Sequence, residues 1–189
     1  MCVFLLTPRS IGACLNNPDE SLPYILADQG YEVWLGNNRG NGVSMSHIRY
    51  SPNDPQFWDF TWSEMASYDL PAQVDHVLAF TNQSKLSYIG HSEGTIQAFA
   101  GLIEQPELAN KLHLYVALAP VAYVGNVESL ILQAMAKLKV DDLFTLLGVK
   151  EFYLPNALHR LLPGVCRTVP KWCGFVNDLL SGPTTYLVC

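Results

Sequence analysis

The residues best equipped for chemistry stand in Gly90-His91-Ser92-Glu93-Gly94. A serine hydroxyl attacks a carbonyl when its backbone thrusts it outward and a base takes its proton. Gly-x-Ser-x-Gly between a strand and a helix meets the first need, because the chain must turn sharply and hold Ser92 in strained geometry. Side chains at Gly90 and Gly94 are expected to collide with neighbouring backbone. The Glu93 N–H opens the following helix and is expected to face the point where an oxyanion forms, with the helix dipole adding to that field. The expected catalytic pair is therefore Ser92 as nucleophile and Glu93 as backbone oxyanion donor. Gly and Ser are common, so the pentapeptide alone is a weak signal and a plain strand-to-helix turn explains it equally. Its flanks favour chemistry: an apolar strand precedes it and an apolar-faced helix follows.

The base is harder to find. Downstream acids are Glu128, Asp141, Asp142, Glu151 and Asp178, and the histidines are His113 and His159. Ser92, then Asp141 or Asp142, then His159 satisfies the order nucleophile, acid, histidine. Yet no strand-like run leads into these residues. Asp141-Asp142 reads better as the cap of a helix beginning at Leu143, and His159 as part of a short helix. His91 adjoins Ser92, but neighbours on a strained turn point apart, so it is expected to pack against the sheet. The Glu93 side chain is expected to be a polar group facing the cap rather than an acid catalyst. Asn37, Asn38 and Arg39 follow a strand, on the side where α/β sheets bind ligands. A structural role is expected for them, with Arg39 anchored by a carboxylate and the Asn and Gly residues making tight turns.

The elements around these residues alternate. Val3 to Leu6, Tyr31 to Leu35, Leu86 to Ile89 and Leu112 to Leu118 read as strands, the last nearly continuous in apolar residues, as burial on both faces requires. Leu22, Ile25 and Leu26 mark a helix that Asp19-Glu20-Ser21 begins and Gly30 ends. Ser63 or Asp59 is expected to cap a long helix to about Phe80, with Met65, Tyr68, Val74, Val77 and Leu78 inward and a kink near Asp69 and Pro71. Thr95 to Glu104 is a further helix. This order argues for a mostly parallel α/β sheet with helices on both faces. Beyond Pro120 the texture becomes helical and apolar, over Val127 to Lys139, Leu143 to Val149, Ala157 to Leu162 and Phe175 to Leu180. The expected division is an α/β core over 1–120 and a helical region over 121–189.

Composition excludes several classes. The 189 residues are 49% hydrophobic and 15% charged, enough for one domain with a core. Net charge is −6 and no Lys/Arg cluster appears, so no nucleic-acid partner is expected. The longest nearly apolar run, Leu112 to Val124, is too short to span a bilayer. Met1 to Leu6 lacks the basic start of a secretory signal. No Cys/His cluster has zinc spacing, and no metal or cofactor is expected. A Cys166–Cys173 disulfide and free thiols are equally open. Asn82-Gln83-Ser84 has the pattern of a glycosylation acceptor, a triplet too common to fix the compartment.

Several longer stretches carry a resemblance. Asn17-Pro18-Asp19-Glu20-Ser21-Leu22, Tyr31-Glu32-Val33-Trp34-Leu35-Gly36-Asn37-Asn38-Arg39-Gly40-Asn41, Phe57-Trp58-Asp59-Phe60-Thr61-Trp62-Ser63-Glu64-Met65-Ala66, Tyr68-Asp69-Leu70-Pro71-Ala72 and the serine turn stand in order with fitting gaps. Together they resemble the acid lipase family, the gastric and lysosomal type of α/β-hydrolase, from about Leu15 to Leu187. The resemblance implies a partial α/β-hydrolase fold, hydrolysis of triacylglycerol or sterol esters in lipid catabolism, and a secreted or lysosomal location. It implies that Ser92 attacks the ester carbonyl and that the Glu93 N–H is one oxyanion donor. It also implies that the helical region is a cap and lid over an acyl pocket, meeting the lipid–water interface. The family's acid and histidine are expected beyond residue 189. Where the family has His-Gly-Leu-Leu and its second oxyanion donor, this chain has Val3-Phe4-Leu5-Leu6. A catalytically incomplete hydrolase is thus the leading expectation, and a non-catalytic remnant or lipid-binding fragment the alternative.

Overall fold

The computed structural model describes residues 2–6, 19, 21–123, 137 and 168–169. The chain divides into two units, residues 1–124 with 189, and residues 125–188. The first unit holds the fold set out below. The helical stretches expected beyond Val124, the Cys166–Cys173 pair, and Asp141, Asp142 and His159 lie outside the described residues.

Four parallel strands make one sheet: β1 (Cys2–Leu6), β2 (Glu32–Gly36), β3 (Leu86–His91) and β4 (Leu112–Leu118), in the order β2-β1-β3-β4. Leu6 lies beside both Gly36 and Gly90, and His91 lies beside Leu118. The carboxyl ends of all four strands therefore share one edge. From β1 the chain moves outward to β2, whereas from β3 it moves the opposite way to β4. The reversal between β1 and β3 is a topological switch point, where a crevice opens beyond the strand ends. Ser92 follows β3 directly and so stands at that crevice.

Helices cover both faces, as the strand–helix alternation predicts. On one face α1 (Leu22–Asp28) brings Leu22 and Leu26 against Ile89, Leu35, Val116 and Leu118. On the other, α3 (Leu70–Thr81) and α4 (Glu93–Glu104) set Leu70, Val74, Val77 and Ala98 against Leu86 and Tyr88, with Leu108. Alternate residues of β3 thus enter opposite layers, which is why the strand is buried over Leu86 to Gly90. β4 departs from expectation: it is a sheet edge among the described strands, and His113 and Leu114 are exposed. Gly30 ends α1 as expected, at φ 85°, with the Gly30 and Tyr31 N–H groups closing a Schellman motif onto Ala27 and Leu26.

The long helix begins elsewhere than predicted. Thr61, not Ser63 or Asp59, caps the short α2 (Trp62–Glu64), and Thr61 and Glu64 form a reciprocal capping box. A π turn over Met65–Asp69 then leads into α3. Where a kink was expected, this π turn has a direct cause. Pro71 has no N–H to offer the Ser67 carbonyl. Leu70 N–H reaches back to Met65 instead, and the Gln105 side-chain amide donates to the Ser67 oxygen at 2.7 Å. The displaced turn also swings Tyr68 outward, so that it is 65% exposed rather than inward. A Cβ at Gly101 would lie 3.1 Å from the Ala66 carbonyl, so its absence lets α4 close onto the π turn.

Candidate active site

Ser92 is held at φ 54°, ψ −112°, as the N-cap of α4. A positive φ is costly for any residue with a Cβ, so the surroundings must impose it. They do so through backbone and side chains together. Ser92 N–H donates to the Leu118 carbonyl at the end of β4, 3.0 Å away. The Ser92 carbonyl accepts from Thr95 twice, from its N–H at 2.9 Å and its hydroxyl at 2.6 Å. Thr95 Oγ1 accepts in turn from Val121 N–H at 2.9 Å. A Cβ at Gly90 would sit 2.7 Å from the Gly94 carbonyl oxygen and 3.0 Å from the Tyr88 ring. The expected collision at Gly90 is therefore with Gly94 backbone.

Two tyrosines brace the first turn of α4. The buried Tyr88 hydroxyl donates to the Gly94 carbonyl at 2.7 Å, and Tyr115 donates to the Thr95 carbonyl at 3.2 Å. Burial, with smaller effects of Tyr115 and Glu93, pushes the Tyr88 hydroxyl well above the usual tyrosine range. Burial alone pushes Tyr115 up to about 12. Both rings therefore remain neutral donors in ordinary conditions. Neither tyrosine belongs to a motif that marks the site. The available signal was alternation along β3, which sends Tyr88 into the core, where a hydroxyl needs an acceptor.

Glu93 opens α4, so its N–H is one of the first-turn donors without an intrahelical acceptor. Its side chain joins a polar network. Glu93 Oε1 accepts from Asn38 Nδ2 at 3.1 Å and from Gln97 Nε2 at 3.0 Å. Asn38, 5% exposed, accepts at Oδ1 from Gln73 Nε2 at 3.5 Å. The loop after β2, the helix α3 and the first turn of α4 are thus stitched together beside Ser92. Arg39 is anchored by a carboxylate, as predicted, and that carboxylate is Asp69. Arg39 N–H and Nε donate to the two Asp69 oxygens at 2.9 Å and 2.8 Å, and a second guanidinium nitrogen lies 2.6 Å from Oδ1. Asn41 Nδ2 donates to Asn37 Oδ1 at 3.1 Å, closing the turn. Gly40 lies against Phe60 and Trp58, with φ 75°.

A cavity of about 350 Å³ opens at Ser92, lined by Thr61, Trp62, Met65, Ser92, Glu93, Ile96 and Val121. Its walls are mostly apolar, and Ser92 and Glu93, at the start of α4, are among the lining residues. Among the described residues no imidazole is hydrogen-bonded to Ser92 Oγ. His91 ends β3 beside Leu118, and its Nδ1 is buried without a partner among them. His113 lies exposed on β4. Also among the described residues, no cluster of three His, Cys, Asp or Glu could hold a metal, and no helix is long and apolar enough to cross a membrane.

Comparison with known proteins bears on this geometry. The model of the α/β hydrolase fold family matches residues 5–145. Lipase member K of Mus musculus is 55% identical over 114 residues, 60% of this chain and 29% of that protein. Gastric triacylglycerol lipase of Bos taurus is 44% identical over 147 residues, 78% of this chain and 37% of the lipase. The Mus musculus gastric triacylglycerol lipase is 50% identical over 178 residues, covering 92% of this chain and 42% of its own length. The chain therefore spans well under half the length of these relatives.

Proposed function

The chain belongs to the α/β-hydrolase family, and within it to the acid lipases, and on that premise we propose that it carries the nucleophilic half of a lipid ester hydrolase. The observation that supports this most is Ser92 in its strained turn, at the switch point of the sheet and lining a mostly apolar cavity. Ser92 Oγ attacks the ester carbonyl carbon, and the hydroxyl proton passes to a general base. The carbonyl oxygen becomes an oxyanion, which the Glu93 N–H and the dipole of α4 stabilise. Collapse of this intermediate expels the alcohol, which takes the proton, and leaves an acyl group on Ser92. Water then releases the fatty acid. Triacylglycerols and sterol esters are the proposed substrates, and a secreted or lysosomal compartment the proposed location.

The base is the open part of the chemistry. Asp141, Asp142 and His159 meet the chain order but lie outside the described residues, and no strand-like run of sequence leads into them. One observation favours a second reading, a lipid-binding fragment without hydrolysis: no imidazole among the described residues is bonded to Ser92 Oγ. A short-chain p-nitrophenyl ester separates the two. The chain alone is expected to turn it over poorly, with the small excess over buffer lost in Ser92→Ala. Ser92-dependent turnover at the rate of a complete lipase would mean that the base lies within this sequence. Binding of a fluorescent fatty acid with no Ser92-dependent turnover would favour the second reading.

A further inference from the structure

Asn82-Gln83-Ser84 is the only Asn-x-Ser/Thr triplet in the sequence with x other than proline. Nothing in the ester chemistry uses it. The fold puts it in the turn between α3 and β3, where Asn82, Gln83, Ser84 and Lys85 are all exposed. Asn82 takes the left-handed conformation, φ 53°, as the C-cap of α3, and Gln83 N–H closes the cap onto the Leu78 carbonyl at 3.1 Å. Asparagine is one of the few residues besides glycine that tolerates this backbone. That accounts for Asn82, but not for a hydroxyl two residues later. Among the described residues no hydrogen bond engages the Asn82 carboxamide, which is free to react. Phe80, two residues before it, is 71% exposed, an aromatic face that the apolar side of a sugar ring can cover.

We infer that Asn82 is an acceptor for N-linked glycosylation. The Asn82 Nδ2 forms a bond to the anomeric carbon of the first sugar. The bond from that carbon to a polyprenyl diphosphate donor breaks, the amide gives up one proton, and the lipid diphosphate leaves. The position suits a permanent glycan. Asn82 precedes the amino end of β3, and Ser92 follows its carboxyl end. Six strand residues, at a rise of about 3.3 Å each, put roughly 20 Å between them. A glycan there leaves the cavity at Ser92 open. The inference does not depend on the ester chemistry and fails or stands separately from it.

The full chain, expressed behind a cleavable secretory leader in eukaryotic cells, tests this. Leader cleavage verifies entry into the secretory route. The wild type and Ser84→Thr are expected to migrate more slowly than unmodified chain, and peptide N-glycosidase to abolish the shift. Asn82→Gln and Ser84→Ala are expected to show no shift. A leader-cleaved wild type with no glycosidase-sensitive shift, or a shift that persists in Asn82→Gln, would overturn it.

Discussion

Ser92 occupies a backbone region that few side chains enter, and the structure holds it there with its neighbours' hydrogen bonds. Strain of this kind costs roughly 1–3 kcal/mol per residue. Glycine adopts such angles freely. Ser92→Gly is therefore expected to raise the urea midpoint, by a stability gain of about 1 kcal/mol, while removing the nucleophile. Ser92→Ala is expected to remove the nucleophile with no such gain, because its Cβ keeps the strain. Equal midpoints for the two variants would argue against strain at this residue. Gly90→Ala drives a methyl into the Gly94 backbone, which has no flexible end to yield. Its expected cost is at least about 1–3 kcal/mol, read in the same unfolding experiment. The glycine at 90 was legible in the pattern; the atoms it avoids were not, because they depend on how α4 turns back over β3.

The elements around Ser92 act as a brace, and their hydrogen bonds are testable one at a time. Tyr88→Phe keeps the ring and removes the donor to the buried Gly94 carbonyl. An acceptor left unpaired costs about 1–3 kcal/mol, so the variant is expected to lose that much on urea unfolding. A loss within experimental error would mean that the hydroxyl does not hold the turn. Asp69→Ala frees Arg39 from its clamp, and hydrogen bonds to charged groups are worth about 1.5–3 kcal/mol. Arg39→Lys is expected to weaken the clamp as well, since one ammonium cannot replace the two guanidinium nitrogens that converge on Asp69 Oδ1, although the backbone N–H bond to Oδ2 remains. The capping box carries a pH dependence. Hydrogen bonds from the Thr61 side chain and then its backbone hold the Glu64 carboxyl below its ordinary 4.5, with Arg39 adding a little. The folded carboxyl is the lowered one, so this stabilisation is present above 4.5 and is lost as pH falls through the lower folded value. Glu64 is half-buried at the surface, where solvent screens its carboxyl, so the effect is small. It is read as a steeper acid loss of stability in the wild type than in Glu64→Gln. Strand–helix alternation was readable here from apolar runs, and Gly30 marked a helix end by itself. The Thr61 cap and the π turn were not, because Pro71 passes its deficit to Gln105, a partner far along the chain.

At the scale of the molecule, strand order sets the site. A parallel sheet whose connections diverge between β1 and β3 leaves a crevice at their carboxyl ends, and Ser92 stands in it beside an apolar cavity. Sequence patterns conveyed the parallel sheet, the serine turn and the family, since each rests on local spacing or ordered motifs. They did not convey the polar stitch of Asn38, Gln73, Glu93 and Gln97, whose members come from three separate segments. That stitch orients α4, and with it the proposed oxyanion donor. The proposed chemistry turns on Ser92 being the nucleophile. Prolonged reaction of the folded chain with a fluorophosphonate, with the adduct located by peptide mass spectrometry, tests this most directly. The predicted result is a slow adduct confined to Ser92 and lost in Ser92→Ala. Labelling that falls on another side chain, or proceeds unchanged in Ser92→Ala, would contradict it.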